Sequence, residues 1–539
     1  MEENKAKKTF IAGAVLLGAA GILVKVLGLF FRIPITNIIG ADGMGYYQTA
    51  YPVYTFMLTI SSSGLPTAIS KMISERRSTG EYYEAYRVFK ISFKVMLALG
   101  LGTGLVLFIF APLITGQIQK EPDAVYAMRS MAPALLLCPV LSCYRGFFQG
   151  QKNMAPTAIS QLVEQIFRVG LGLGLALILR KVDLAHAAAG ASFGASAGAL
   201  FGLVAIIFIF HTNKPKMISE IRLSGRRPKQ SSRSIIHDLL AIAIPTTIGS
   251  CILPILNTID TVIVKRRLLG LGYPDEIART MYGELAGMAS PIINIIQVIT
   301  QAICLSLVPV ISDAYRRDDM DFVRKNIQLG LRYAFTVGLP CAVGMFTLAR
   351  PIMQLFYPTQ TASLDNAAAC LKIYTIGLVF LAVNHSLTGV LQGIGKQGVP
   401  VRNLFIGAVV KTVVTFVLTG IPTVNVKGAA VGTAVAYLVA AALNYIAVKR
   451  YTNVKVDIVL TVIKPIIAVA VMGACVFGGY RLVHSVMGNT VSTLASVLAG
   501  VIVYVLMVFV TRTITAEELS GMPKMGKLTA LLKKIHLVK

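Results

Sequence analysis

Ionisable side chains occur in this chain where the surrounding sequence is apolar. Lys25 and Arg32 interrupt and end the run TFIAGAVLLGAAGILVKVLGLFFR. Arg129, Glu164, Arg168, Asp260, Glu284, Lys372, Lys411 and Lys464 lie in similar surroundings. A charge near the centre of a bilayer costs about 2.5–3.5 kcal/mol, so each of these groups calls for a partner or a cavity. Glu164 and Arg168 are spaced i,i+4 and can pair on one helix face, so a structural ion pair is a direct reading of them. Lys25 and Arg32 have no acid nearby in their own run, which points to contact with an anion. Asp260 has two readings: a partner for a lysine such as Lys411, or a site for a coupling cation, Na+ or H+. Arg129, Lys372 and Lys464 fall near the ends of their runs, where long side chains snorkel. Cations outnumber acids in these runs, which suits an anionic cargo such as a phosphate and not a cationic drug.

The elements that hold these groups are membrane spans. The chain has 539 residues, 55% hydrophobic and only 14% charged, against about 25% charged in soluble domains. Its apolar runs are long enough to cross a hydrocarbon core of about 30 Å as helices. They lack the alternation of a β-barrel. We expect an all-α polytopic membrane protein with fourteen transmembrane helices, starting near residues 10, 46, 90, 124, 154, 186, 237, 282, 327, 366, 400, 426, 458 and 490. With the N-terminus inside, the inner segments carry about three times as many Lys and Arg as the outer ones. The positive-inside rule thus predicts that both termini are in the cytoplasm. The formal charge of +27 then meets anionic lipid headgroups, and no nucleic acid is expected as a partner.

The chain also repeats itself. QGQKNMAP (Gln149–Pro156) returns as QGIGKQGVP (Gln392–Pro400). LPTAISKMISERR is echoed by VPVISDAYRRDD, APLITG by RPIMQL, and AAGASFGASAG by VKGAAVGTAVA, in the same order and about 240 residues apart. Arg168 and Lys411 fall in equivalent places. Six spans per copy return the chain to the same side, so the two six-helix repeats are parallel, with two further C-terminal helices. The expected organisation is an N-lobe over 1–211, a basic cytoplasmic linker over 212–236, a C-lobe over 237–450, two further helices over 451–515 and a basic cytoplasmic tail over 516–539. The glycines of the repeated turn are expected to permit its reversal and the prolines to start the next helix. Two pseudo-equivalent lobes favour a carrier that rocks between two openings.

Enzyme readings find little support. RRDDMDF (Arg316–Phe322) resembles an acidic cluster for magnesium diphosphate, but Asp residues at a helix start explain it better. GLGLGLALIL (Gly170–Leu179) follows no strand and reads as helix packing rather than a phosphate loop. The six His are scattered, and no Ser/His/Asp set can be assembled. The seven Cys all fall in predicted spans and show no metal-ligand spacing, so no metal and no catalytic residue are expected.

The stretch RIPITNIIGADGMGYYQTAYPVYTFMLTISSSGLPTAISKMISE (Arg32–Glu75), the fourteen spans and the QGQKNMAP turn together resemble the polysaccharide-exporter branch of the multidrug/oligosaccharidyl-lipid/polysaccharide flippase superfamily. Within it the chain is most similar to the group of Gram-positive lipid II flippases and stage V sporulation B proteins. The resemblance covers essentially the whole chain. It implies two six-helix lobes and alternating access that turns a polyprenyl-diphosphate-linked sugar, lipid II first, from the inner to the outer leaflet. It also implies a role in peptidoglycan synthesis and cell shape, with other cell-wall synthesis proteins as potential partners. By this likeness Lys25 and Arg32 would contact the diphosphate, while Gln48, Tyr51 and Glu284 would face the cavity. The chain departs from the Gram-negative members, which carry arginines in span 2, here YTFMLTISSSG, and a basic residue where Glu284 stands. Lys265, Arg266 and Arg267, at the outer end of span 7, are candidates to replace that charge or to anchor headgroups. The alternatives are a flippase for another lipid-linked oligosaccharide, a sporulation-specific form, and a cation-coupled multidrug exporter. The last is disfavoured by Lys25, where drug-exporting relatives place an acid.

Overall fold

The computed structural model describes residues 2–223 and 230–513, with the side chains of 2–16, 22, 29, 216 and 223 not included. Fifteen helices are described: α1 (Glu2–Ser62), α2 (Gly64–Ser78), α3 (Tyr82–Pro112), α4 (Ala124–Gly150), α5 (Ala155–Leu179), α6 (Leu184–Leu223), α7 (Ser232–Gly270), α8 (Asp275–Gly283), α9 (Ser290–Arg316), α10 (Met320–Thr347), α11 (Ala349–Phe356), α12 (Leu364–Gly393), α13 (Gly398–Thr419), α14 (Lys427–Thr452) and α15 (Lys464–Val510). Single π-helical turns follow α3 (Leu113–Ile118) and precede α9 (Glu284–Ala289) and α15 (Val459–Ile463). No strand occurs among the described residues.

Twelve of these helical stretches are long and apolar enough to cross a membrane. Two are too long for one crossing. Leu17–Ser78 has 62 residues and Val459–Val510 has 52, about 93 and 78 Å at 1.5 Å per residue, against a core of about 30 Å. Each is broken at one glycine: Gly40 at φ 73°, ψ 177°, and Gly488 at φ 69°, ψ 177°. That region of backbone space is open essentially only to glycine. Cut there, twelve stretches become fourteen passes, in the positions the hydropathy predicted.

The chain forms two compact units, Met1–Gly287 and Met288–Lys539. In the first, α4 and α5 pack on α6, and α3 on α4. In the second, α12 and α13 pack on α14, and α10 on α12, so the same pattern recurs. Helices α7 and α8, which follow the predicted linker, pack within the first unit on α1 and α2. Part of that linker is helical, because α6 continues to Leu223 and α7 starts at Ser232; residues 224–229 and the predicted tail 516–539 lie outside the described residues.

The repeat is visible in atomic detail. A Cβ on Gly190 would lie 2.8 Å from the Leu175 carbonyl carbon, and one on Gly428 would lie 2.7 Å from that of Leu418. At the doubled turn, the Lys152 N–H donates to Gln149 O (2.9 Å) and the Asn153 N–H to Phe148 O (3.0 Å). In the second copy Gly395 donates to Gln392 O (3.0 Å) and Lys396 to Leu391 O (2.8 Å). Both are Schellman closures of a helix C-terminus. The left-handed residue is Lys152 (φ 59°) in one copy and Gly395 (φ 78°) in the other. Gly150 and Gly393, which the sequence suggested for the reversal, instead allow close packing: a Cβ there would come within 2.8 Å of Ile73 or 2.7 Å of Ile311. Pro156 does stand in the first turn of α5.

Four of the seven cysteines are buried, but Cys475 is exposed on α15. Asp319 caps α10, accepting the Phe322 N–H at 3.0 Å, and Asp318 is the left-handed residue before it (φ 57°). The acidic cluster is therefore a helix junction.

Candidate anion-binding site

In the first unit, α1 and α5 bring two arginines onto one tyrosine. The Arg32 guanidinium carbon lies 5.5 Å from the centroid of the Tyr51 ring and that of Arg168 lies 5.9 Å from it. Tyr51 stacks on Tyr47 (5.5 Å) and leans on Tyr54 (6.1 Å). Tyr47 and Tyr54 are buried, while Arg32, Tyr51 and Arg168 are half-buried. Aromatic faces attract guanidinium groups, so the rings orient the arginines without neutralising them. Two like charges sharing one ring repel, and an anion bound by both would offset that repulsion.

Glu164, expected as the partner of Arg168, is engaged by another residue: Arg145 of α4 donates from Nη2 at 2.8 Å and also reaches Ser160 Oγ at 2.9 Å. Gly194 and Gly198 of α6 let α5 approach closely here, since a Cβ on either would meet the Arg168 or Glu164 carbonyl at 2.5 Å.

The other candidates are dispersed. Lys25 is exposed, two turns before Arg32 on α1. Gln48 is buried and donates to Ala286 O at 2.6 Å, tying α1 to the π-helical turn that Glu284 begins; Glu284 is itself buried. Asp260 is half-buried on α7, beside the bonded pair Thr261 and Tyr282 (2.7 Å). Lys411 is half-buried on α13 of the second unit. Arg266 is exposed, and it donates to Ile118 O (3.1 Å) and Gln117 O (3.2 Å).

A second cluster was not foreseen as one. Lys265 is fully buried and pairs with Glu121. Arg279 of α8 donates to the other Glu121 oxygen at 3.0 Å, grips both oxygens of Asp42, and lies 4.3 Å from the centroid of the Tyr46 ring. Two cations and two acids thus join α1, the segment after α3, α7 and α8, with Lys265 and Glu121 at the buried end. The signal was opposite charges at the ends of separate predicted spans, which no single-span periodicity connects. No group of three or more potential metal ligands occurs among the described residues.

Comparison with known proteins follows the same lines. The family described as "Polysaccharide biosynthesis protein" matches residues 10–315, and the MatE family matches residues 284–417. The chain is 27% identical to Stage V sporulation protein B of Bacillus subtilis over 97% of its own length and 99% of that protein's. It is 28% identical to Lipid II flippase MurJ of Bacillus subtilis, over 89% and 90% respectively. A solved structure of lipid II flippase MurJ, in an inward closed conformation, superposes with a TM-score of 0.67 at 15% identity, covering 92% of this chain and 98% of that one.

Proposed function

Because the chain belongs to the polysaccharide biosynthesis protein family, whose relatives here are membrane transporters and not enzymes, we propose that it flips a polyprenyl-diphosphate-linked sugar, lipid II first, from the inner to the outer leaflet. The observation that carries this reading is the pair of guanidinium groups over Tyr51. A diphosphate has the charge and the oxygen acceptors that two planar guanidinium forks recognise. Lys25, two turns before Arg32 on α1, is our candidate for a further contact with the diphosphate. No covalent step is required. Transport needs only that the two repeats alternate in exposing this site, and Asp260 is our candidate for coupling that motion to Na+ or H+. The Lys and Arg distribution supports a plasma-membrane orientation with both termini in the cytoplasm.

The test is complementation of a bacterium depleted of its own lipid II flippase. Growth rescue by the wild-type chain, and its loss in Arg32→Ala with the protein still in the membrane, is the expected result. Failure of the wild-type chain, folded in the membrane, would reject lipid II and direct the search to another polyprenyl-linked sugar. Near-complete alignment with the sporulation relative supports a second reading, a sporulation-specific flippase, scored by rescue of spore formation.

A further inference from the structure

The doubled turn carries, in its first copy, polar groups that the fold does not require. There it borders a cavity of about 140 Å³ between α2, α4 and the far end of α6. The apolar run of α6 ends at Phe210, and the helix continues to Leu223, about 20 Å further. Asn213, Met217 and Glu220 of that extension line the cavity, so its occupant comes from water and not from lipid. Phe147, Phe148 and Phe210 give it aromatic walls. Arg77 and Glu220 close one side as an ion pair at 2.9 Å, and their charges balance. The remaining polar groups are three carboxamides, Gln151 and Asn153 of the turn and Asn213 of α6. Asn153 spends its oxygen on the Ala155 N–H (3.3 Å), and Asn213 spends its amide nitrogen on Ile209 O (2.8 Å). An NH2 donor on Asn153 and a carbonyl acceptor on Asn213 are left for a ligand.

The second copy is an internal control. With the two turns aligned, Ile394 stands for Gln151, and Val390 and Leu391 stand for Phe147 and Phe148. With Gly428 of α14 set on Gly190 of α6, Val448 stands for Phe210. Val390, Leu391, Ile394 and Val448, with Val454, form an apolar core in that unit. The same turn therefore closes without carboxamides.

We infer that the cavity of the first copy is a binding site for the pyrimidine base of a nucleoside. A cavity of about 150 Å³ holds one benzene ring, so about 140 Å³ takes a single six-membered ring. A purine, or a pyranose with its hydroxyls, is too large for it. Aromatic walls suit a planar ring, and a pyrimidine presents donors and acceptors side by side on one edge, which an amide NH2 and a carbonyl match. The balanced Arg77–Glu220 pair favours a neutral ring over an anion. The site is separate from the arginine pair on Tyr51 and does not depend on which sugar is carried.

Equilibrium dialysis of the full-length protein in detergent tests this, with tritiated uridine and tritiated cytidine as probes. At least one of them should bind saturably, at one equivalent per chain. Adenosine and N-acetylglucosamine should compete at least about tenfold more weakly than the bound pyrimidine nucleoside. Gln151→Ile installs the side chain that the second copy already carries at Ile394, so the turn should still fold while binding weakens about tenfold. Asn213→Leu, at an exposed position of α6, should weaken it by a similar factor. No saturable binding of either probe up to millimolar concentration, equal competition by adenosine or N-acetylglucosamine, or binding that survives both substitutions would overturn the inference. Should Gln151→Ile not be recovered folded, Asn213→Leu decides the matter alone.

Discussion

Arg32 and Arg168 come from different helices, α1 and α5, yet stand over the same ring, at 5.5 and 5.9 Å from the centroid of Tyr51. If both hold one anion, they act as a unit. Arg168→Ala should then reduce transport as much as Arg32→Ala, by at least about tenfold for the loss of a charge-assisted hydrogen bond, and the double variant should be little worse than either. Arg168→Lys keeps the charge but not the planar fork, so partial activity is expected. Initial rates of substrate flipping in proteoliposomes, at matched protein levels, read this directly. Strictly multiplicative losses would show that the two arginines serve separate steps.

Arg145 and Glu164 form the neighbouring pair, and it supports the site rather than binding cargo. Both side chains are mostly buried, at 14% and 21% exposed. Glu164→Gln leaves Arg145 without its counter-charge and should cost about 1–3 kcal/mol of stability, read as a lower melting temperature in detergent. Arg145→Met together with Glu164→Gln should recover most of it. The sodium and proton dependence of transport should be unchanged in the double variant. A changed ion dependence would instead make Glu164 part of the coupling machinery.

The repeated turn offers a test with its own control. Lys152 adopts the left-handed conformation that Gly395 adopts at the equivalent place. A side chain there costs about 1 kcal/mol relative to glycine. Lys152→Gly should therefore stabilise the first unit by about that amount, and Gly395→Ala should destabilise the second by the same. Thermal or denaturant unfolding of the two single variants checks both signs.

Much of this was legible beforehand because bilayer physics is coarse and strict. Hydropathy placed fourteen passes, and the breaks that make fourteen out of twelve stretches occur at Gly40 and Gly488, where only glycine tolerates the backbone. The repeat was legible because turns and close glycines are written locally, as at Gly150 and Gly393. What periodicity could not supply was partnership across helices. Glu164 looked closest to Arg168 along α5, but helix packing put Arg145 nearer its carboxylate. Nothing in the spacing of Tyr47, Tyr51 and Tyr54 along α1 indicated that Arg168 of α5 would meet the middle ring. Lys265 was read beside Arg266 and Arg267 as one outer basic cluster. In the fold the first is entombed on Glu121, while the second is exposed and holds backbone carbonyls.

That burial makes the Lys265–Glu121 pair the most demanding electrostatic contact described here. Side-chain exposure is 0% for Lys265 and 3% for Glu121, and Arg279 shares the same carboxylate at 3.0 Å. Such a pair contributes little net stability, since desolvation offsets attraction, but removing one partner strands the other charge away from water. Glu121→Gln should therefore cost about 3–5 kcal/mol, with Lys265 and Arg279 both losing their shared acceptor. Asp42 still holds Arg279 through both oxygens, so the larger part of the loss should fall on Lys265. Combining Glu121→Gln with Lys265→Met removes the stranded ammonium and should restore most of the melting temperature. Lys265→Met alone should be milder than Glu121→Gln, because Arg279 continues to compensate the carboxylate. Melting of the three variants in one detergent decides the matter: an equal loss in all three would mean that packing, and not the buried charge, sets the stability of this contact.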